Sequence, residues 1–443
     1  MDWQNLLDRR RLCDTNYVEK PDRPTFIQDA DRITFSAPFR RLANKTQVHP
    51  LYENDHLHHR LIHSVETASV GRSLGIAVGD WLEKEHGLGA GEKHAVAGMT
   101  QAACLAHDIG NPPFGHSGEA AIGSWFAERF GGSSELFRAI EAPLRLEFED
   151  FEGNAQGFRI ISRLEMYRNK GGMRLSMGVL GAFAKYPVTA RIRASATQSY
   201  RGLKKFGVFE SDAELFAQVA EAVGLPVETI GADRWWRRHP LVFLVEAADD
   251  ICYNILDLED AYASGDFTEH VVLKHLQSLA GIPNVDLADR TTDEIIAYAR
   301  ARAIGSAIDA CVAAFKENYE AIMSGSFSGS LIEVSARSGE FAAIEKLSRQ
   351  RLFTSPRKTE LEVFGRNVVH RVLDGLIGVF EQLRARNWEP AGLDGYHEQL
   401  RRAANLDLRD VKDEYTALHA LADYVSGMTD RYAVKVAKIV VGS

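Results

Sequence analysis

The sequence predicts an all-α, mainly helical globular protein, and three observations carry that expectation. Apolar residues recur at three- and four-residue spacing through most of the chain, which places them on one face of a helix. Few stretches alternate with the period of two that a half-buried strand needs. Glycine, proline and small polar residues gather at Gly110–Gly115, Lys170–Gly172, Ser199–Phe209 and Ser324–Ser330, marking the breaks between helical segments.

In chain order, helical periodicity runs near residues 57–75, 92–107, 117–130, 240–262, 292–323, 360–385 and 412–440. In the first segment His63 shares a face with Thr67, Val70 and Leu74, so it points inward with the core. The second carries Val96, Ala103 and His107 on one face and ends where Gly110, Pro112 and Pro113 forbid its continuation. His107 and Asp108 therefore stand side by side at a helix terminus. Pro240 suits the first turn of the fourth segment, whose stripe of Val242, Val245, Asp249, Cys252 and Leu256 has Tyr253 and Asp257 one and two turns beyond Asp249. A minor hairpin is expected near 326–336. No internal repeat is evident.

Composition narrows the class. With 443 residues, 45% of them apolar and 26% charged, the chain can bury a large core, which excludes disordered, collagenous and coiled-coil classes. Met1–Asp14 is polar, with Arg9, Arg10 and Arg11 but no apolar stretch after them, so no secretory signal is expected. No apolar run approaches membrane-spanning length. Cys13, Cys104, Cys252 and Cys311 are scattered without a CxxC pair and read as reduced thiols of a cytoplasmic protein. The formal charge of −9 disfavours broad nucleic-acid binding but leaves room for a small polyanion held by a local cluster of cations.

The chemistry is carried by LAHDIGNPPFGHSGE, residues 105–119. An imidazole beside a carboxylate makes a mixed nitrogen and oxygen site for a divalent cation. Alone, such a dipeptide arises by chance. His63 and Asp249 raise its weight, because a carboxylate in an apolar stripe is costly to bury unless it is paired or bound to metal. Taken singly, each residue reads as a satisfied core group; taken together, they read as a metal site. His116 and Glu119 lie three apart at the start of the next helix and so on one side of it. A histidine can pass a proton near neutral pH, and a carboxylate on its other nitrogen fixes the tautomer.

The order His63, His107-Asp108, Asp249 is the signature of the HD superfamily. The phrases FRRLANKTQVHPL, RLIHSVETA, LAHDIGNPPFGHSGE, FEGNAQGFRI, HPLVFLVEAADDICYNILDLEDA and DYVSGMTDRYA resemble its bacterial dGTPase-like branch. The likeness runs from about Phe35 to Tyr432 and is weakest at residues 199–238 and 264–330. It implies an HD-domain helical bundle with additional C-terminal helices: an N-terminal extension over 1–34, a catalytic core over 35–325 and a C-terminal region over 326–443 that completes the active site and makes oligomer contacts. It also implies metal-dependent hydrolysis of dNTPs to a deoxynucleoside and tripolyphosphate. His63, His107, Asp108 and Asp249 would be the metal ligands. His116 would act at the α-phosphorus, with Glu119 orienting it. Gln47, Tyr253 and Asp257 would meet the sugar; Arg60 would reach a phosphate, as Lys185 and Arg41 would more weakly.

No histidine lies between His116 and His239, and the place where relatives carry extra ligands reads Gly153-Asn154-Ala155-Gln156, so one metal ion is expected. Mn or Mg is the first expectation, with Co, Ni, Fe or Zn compatible with the donors. The resemblance also implies a homo-oligomer, often a hexamer, and an activating nucleotide. The alternatives are a mononuclear HD phosphatase acting on nucleoside monophosphates and a regulatory nucleotide-binding HD protein. Trp235-Trp236-Arg237-Arg238 with Arg201, Lys204 and Lys205 has the composition of a single-strand binding surface, but reads first as a packed corner and a solvated loop. The resemblance implies that the basic segment 346–371 closes the active site, meets neighbouring subunits or forms an activating nucleotide site; from the sequence alone it reads equally as exposed helix charge.

Overall fold

The computed structural model describes residues 1–45, 59–282, 289–351 and 356–442, and it is helical almost throughout. The elements used below are α1 (Thr25–Thr34), α2 (Arg60–Glu85), α3 (Lys93–Ala106), α4 (Gly115–Phe130), α5 (Ala142–Glu149), α6 (Gly153–Arg159), α7 (Met177–Phe183), α8 (Ala213–Ala222), strands β1 (Val227–Ile230) and β2 (Asp233–Trp236), α9 (Val242–Ala263), α10 (Glu269–Ala280), α11 (Thr292–Glu317), α12 (Ser338–Arg351), α13 (Pro356–Ala385), α14 (Gly395–Ala404), α15 (Glu414–Ser426) and α16 (Asp430–Val441). Shorter helical turns join them.

The α2–α3 pair is the most closely packed, and small residues make it possible. Gly71, Gly75 and Gly79 recur every four residues along α2; a Cβ on Gly75 would lie 2.7 Å from the Ala97 Cα, and one on Gly79 2.7 Å from the Lys93 Cα. With no side chains there, the two backbones approach directly. This pair, with α7 to α12, surrounds a first core that includes Leu74, Met99, Leu180, Phe216, Ile251, Phe315 and Ile344. A second core, with Trp125, Phe126, Phe148, Val372, Phe380, Leu418 and Val436, joins α4 and α5 to α13, α15 and α16. The helix that follows the HD turn thus packs with the C-terminal helices, far away in sequence.

One sequence expectation needs correction, and two helical stretches resolve into pairs. The hairpin lies at β1–β2, Val227 opposite Trp236, turning at Gly231 with φ +62°. Near 326–336 the chain instead forms one helical turn, Leu331–Val334, because Ser330 and Glu333 make a reciprocal capping box. The 292–323 periodicity covers two helices parted at Asn318, and the 412–440 periodicity two parted at Gly427–Thr429. In the second case the Thr429 side chain caps α16 by accepting from the Tyr432 N–H.

Trp235 and Arg238 are buried and Trp236 nearly so, while Arg237 lies over the Tyr200 ring at 4.5 Å, which makes this the packed corner and not a stacking platform. No helix among the described residues is long and apolar enough to cross a membrane.

Candidate active site

Three elements converge on one pocket of about 390 Å³. His63 projects from the first turn of α2, His107 caps the C-terminus of α3, and Asp249 comes from the middle of α9. The Asp249 Oδ1 lies 3.1 Å from the His63 Nε2 and 3.5 Å from the His107 Nε2. The three donor atoms fall within 4.8 Å of one another, close enough to share one ion. The Asp108 Oδ1 is 3.6 Å from the His107 Nε2. The Asp108 oxygens are also engaged elsewhere, Oδ1 accepting from the Asn111 amide and Oδ2 from the Arg60 Nη1 at 2.8 Å.

The donor set fits a divalent cation. The His107 Nδ1 bonds to the Cys104 carbonyl at 2.6 Å, which fixes the ring and leaves Nε2 buried without a hydrogen bond, aimed between Asp108 and Asp249. Burial pushes the His107 pKa down, but Asp108 and Asp249 outweigh it and raise it to about 9. A proton there occupies the position a metal ion would take. Burial also works against the Asp108 carboxylate, yet Arg60 and the two histidines bring it to about 2. Asp249, against the same burial, is held well below the usual carboxylate range by His107 and His63. Both carboxylates are therefore ionised at neutral pH.

The turn after the HD pair sets the next group. Phe114 has φ +64°, a left-handed conformation costly for a bulky residue, and its N–H donates to the Asp430 carboxylate at 3.0 Å. A Cβ on Gly365 of α13 would lie 2.7 Å from the Phe114 ring, so α13 clamps the strained residue from the other side. Gly115 follows with φ +60°; a Cβ there would come within 2.8 Å of the Arg60 Nη2, so its absence makes room for the guanidinium. The turn delivers His116 to the pocket with its side chain 85% exposed. The His116 Nδ1 is 2.8 Å from the buried Glu119 Oε2, and the Glu119 Oε1 accepts from the Gly153 N–H at 2.8 Å. Burial raises the Glu119 pKa, but its bonds to His116 outweigh this and lower it. An ionised Glu119 accepts a hydrogen bond from the Nδ1–H and so leaves Nε2 facing the pocket.

Arg60, Lys185 and Tyr253 line the same pocket; Asp257 does not, lying buried a turn beyond Tyr253. Arg41 is half-buried and outside the pocket lining. Gln47 lies outside the described residues. Burial pushes the Lys185 ammonium pKa down, but Glu246 leads the opposing charges that hold it above the usual lysine range. Asn111, Tyr186 and Glu246 also line the pocket without having been candidates, as do Lys205 and Asp250. Lys205 is not in a solvated loop: its ammonium reaches the Glu152 carboxylate at 2.5 Å beside Glu119. Asn111 had a local signal, sitting three residues after Asp108 in a turn that must hold a ligand still.

A helical scaffold with paired histidines and carboxylates at this spacing is that of the HD domain, and residues 60–166 match the HD domain family, while residues 335–438 match the phosphohydrolase-associated domain. A deoxyguanosinetriphosphate triphosphohydrolase-like protein of Synechocystis sp. is 39% identical, over 98% of this chain and 97% of that protein. One of the same description from Pseudomonas aeruginosa is 38% identical over 100% and 99% of the two chains. A Yersinia pestis protein named deoxyguanosinetriphosphate triphosphohydrolase is 28% identical over 92% of each. The chain belongs to the deoxyguanosinetriphosphate triphosphohydrolase-like family of HD-domain hydrolases.

Proposed function

We propose that this protein hydrolyses deoxynucleoside triphosphates to a deoxynucleoside and tripolyphosphate. The observation that carries the reading is that the His63, His107 and Asp249 donors and the His116–Glu119 pair open onto one pocket walled by Arg60 and Lys185. In this reading His63, His107, Asp108 and Asp249 hold one divalent ion, Mn or Mg before Co, Ni, Fe or Zn. When bound, such an ion withdraws charge from a phosphoryl oxygen and acidifies water.

The protein's own groups do the rest. Arg60, fixed by Asp108 at 2.8 Å, offers its remaining N–H groups to phosphate, and Lys185 adds a point charge. Held this way, the polyphosphate presents the α-phosphorus for in-line attack. Water adds to that phosphorus and gives up a proton to solvent, the bond to the 5′-oxygen breaks, and His116 supplies the proton the departing oxygen needs. Glu119 keeps the imidazole oriented. Tyr253 packs against the sugar, with Asp257 and Gln47 completing its polar contacts, which disfavours a ribose.

The same reading takes residues 35–325 as the catalytic core and 326–443 as the region that closes the site. The family resemblance supports a homo-oligomer, hexameric in form, with an activating nucleotide. The three buried cysteines and one exposed one, all unpaired, support a cytoplasmic setting. The test is a panel of dNTPs and NTPs, singly and mixed, and of nucleoside monophosphates, with Mn or Mg, following products by ion chromatography. Release of intact tripolyphosphate is expected. Orthophosphate alone, from nucleoside monophosphates, would favour the mononuclear phosphatase instead.

A further inference from the structure

Resting on that reading, in which Lys185 meets a substrate phosphate, we propose that Glu246 is a positioning residue that holds the Lys185 ammonium at the pocket wall, ready for transfer to a phosphate oxygen. Glu246 stands one turn before Asp249 on α9, is 2% exposed, and lines the pocket. Its Oε2 accepts from the Arg238 Nη1 at 2.6 Å. Arg238 is itself buried, with its guanidinium 4.2 Å over the Phe243 ring, so the carboxylate cannot swing. The other oxygen, Oε1, is buried and makes no hydrogen bond. It faces two cations, the Lys185 Nζ at 3.6 Å and the Arg201 Nε at 3.7 Å. Arg201 is anchored at its far end by the Glu333 carboxylate at 2.9 Å and 3.0 Å. Lys185 has no second ion pair among the described residues.

At 3.6 Å the attraction between Lys185 and Glu246 is Coulombic and beyond hydrogen-bond length. It fixes where the ammonium sits without consuming its N–H donors. A lysine has four rotatable bonds, and an untethered ammonium would have to be ordered when the anion arrives. Glu246 removes that ordering cost in advance.

The sign of the effect separates positioning from simple charge. Glu246 is an anion beside a polyanion site, so deleting its charge should, by Coulomb attraction alone, strengthen substrate binding. Positioning predicts the reverse. Glu246→Gln keeps an acceptor for Arg238 while removing the tether. With dNTP and Mn, KM is expected to rise about tenfold with kcat within about twofold, and calorimetric affinity for inorganic tripolyphosphate to fall by a similar factor. In a Lys185→Ala background the same substitution should raise KM no further, a silence that a general loss of structure would not produce. An unchanged or lowered KM, or an effect that adds in full to that of Lys185→Ala, overturns the proposal. Should Glu246→Gln not fold, Glu246→Asp retains the charge but draws it back by one methylene, and the same KM rise and the same silence are required of it. If the unsubstituted protein releases no tripolyphosphate from any dNTP, the functional reading falls and takes this inference with it. Normal turnover with an unmoved KM in the variants sinks the Glu246 assignment alone.

Discussion

At the scale of single residues, the proposed function assigns ion retention and proton transfer to different side chains. His107→Ala or Asp249→Ala removes a donor from the three-atom cluster, so both bound metal and turnover should be lost. His116 is 85% exposed and outside that cluster, so His116→Ala should retain metal, measured by elemental analysis, and lose about 10²- to 10⁴-fold in kcat. Loss of metal in that variant would overturn the division of labour. The proton on His107 gives a second test. Because its pKa is raised to about 9, a cation binding at neutral pH must displace that proton, and each unit of acidification below 9 raises the competition. Mn affinity measured from pH 8.5 down to 6.5 should fall by up to about tenfold per unit; a flat profile would mean that His107 is not displaced. At this scale the sequence was informative where chemistry is local. His107, Asp108, His116 and Glu119 lie within one turn and its flanks, so their proximity is written in their spacing. Lys205 and Glu246 were invisible because their place in the site depends on how distant loops and the Arg238 corner fold back.

At the scale of elements, close backbone approaches set the geometry. A Cβ on Gly110 would stand 2.1 Å from both the Gly153 carbonyl oxygen and the Gly157 nitrogen, so α6 lies directly against the HD turn. Neither neighbour is a flexible side chain that can yield. Gly110→Ala should therefore cost about 3 kcal/mol or more in denaturant unfolding and should lower kcat beyond what the lost stability explains, since Asp108 is two residues away. Wild-type stability in that variant would show that the contact relaxes easily. Long periodic helices such as α2, α9 and α13 were legible from their apolar spacing. Shorter ones such as α5, α7 and α14 were not, because seven to ten residues give too few turns to stand above chance. The misplaced hairpin has the same origin: the Ser330 capping box was overlooked, while strands of four residues in 227–236 offer almost no period to read.

For the whole molecule, the division into two cores matters more than the order of the chain. The Gly/Ser-rich stretch at 324–330 invites a cut there, yet α4 buries Ile122, Trp125 and Phe126 against helices that lie beyond residue 356. A fragment of residues 1–325 would expose that face and leave Phe114 without Gly365 and Asp430. It should be poorly soluble, reduced in thermal cooperativity and inactive; a folded, active fragment would contradict the shared second core. No local pattern in the sequence could announce this, because the contact joins segments some 240 residues apart, such as Ser117 and Glu362.

That arrangement also separates two properties onto different hydrophobic bodies. In the proposed reading, the side chains that would hold the ion belong to the first hydrophobic body, whereas the imidazole that would handle the proton rides on a helix belonging to the second. Anything that shifts the C-terminal body, whether a neighbouring subunit or a substitution on α13, can therefore retune catalysis while leaving the loaded metal undisturbed. Such a protein would look intact by every measure of ion content and yet be silenced or awakened through its far end.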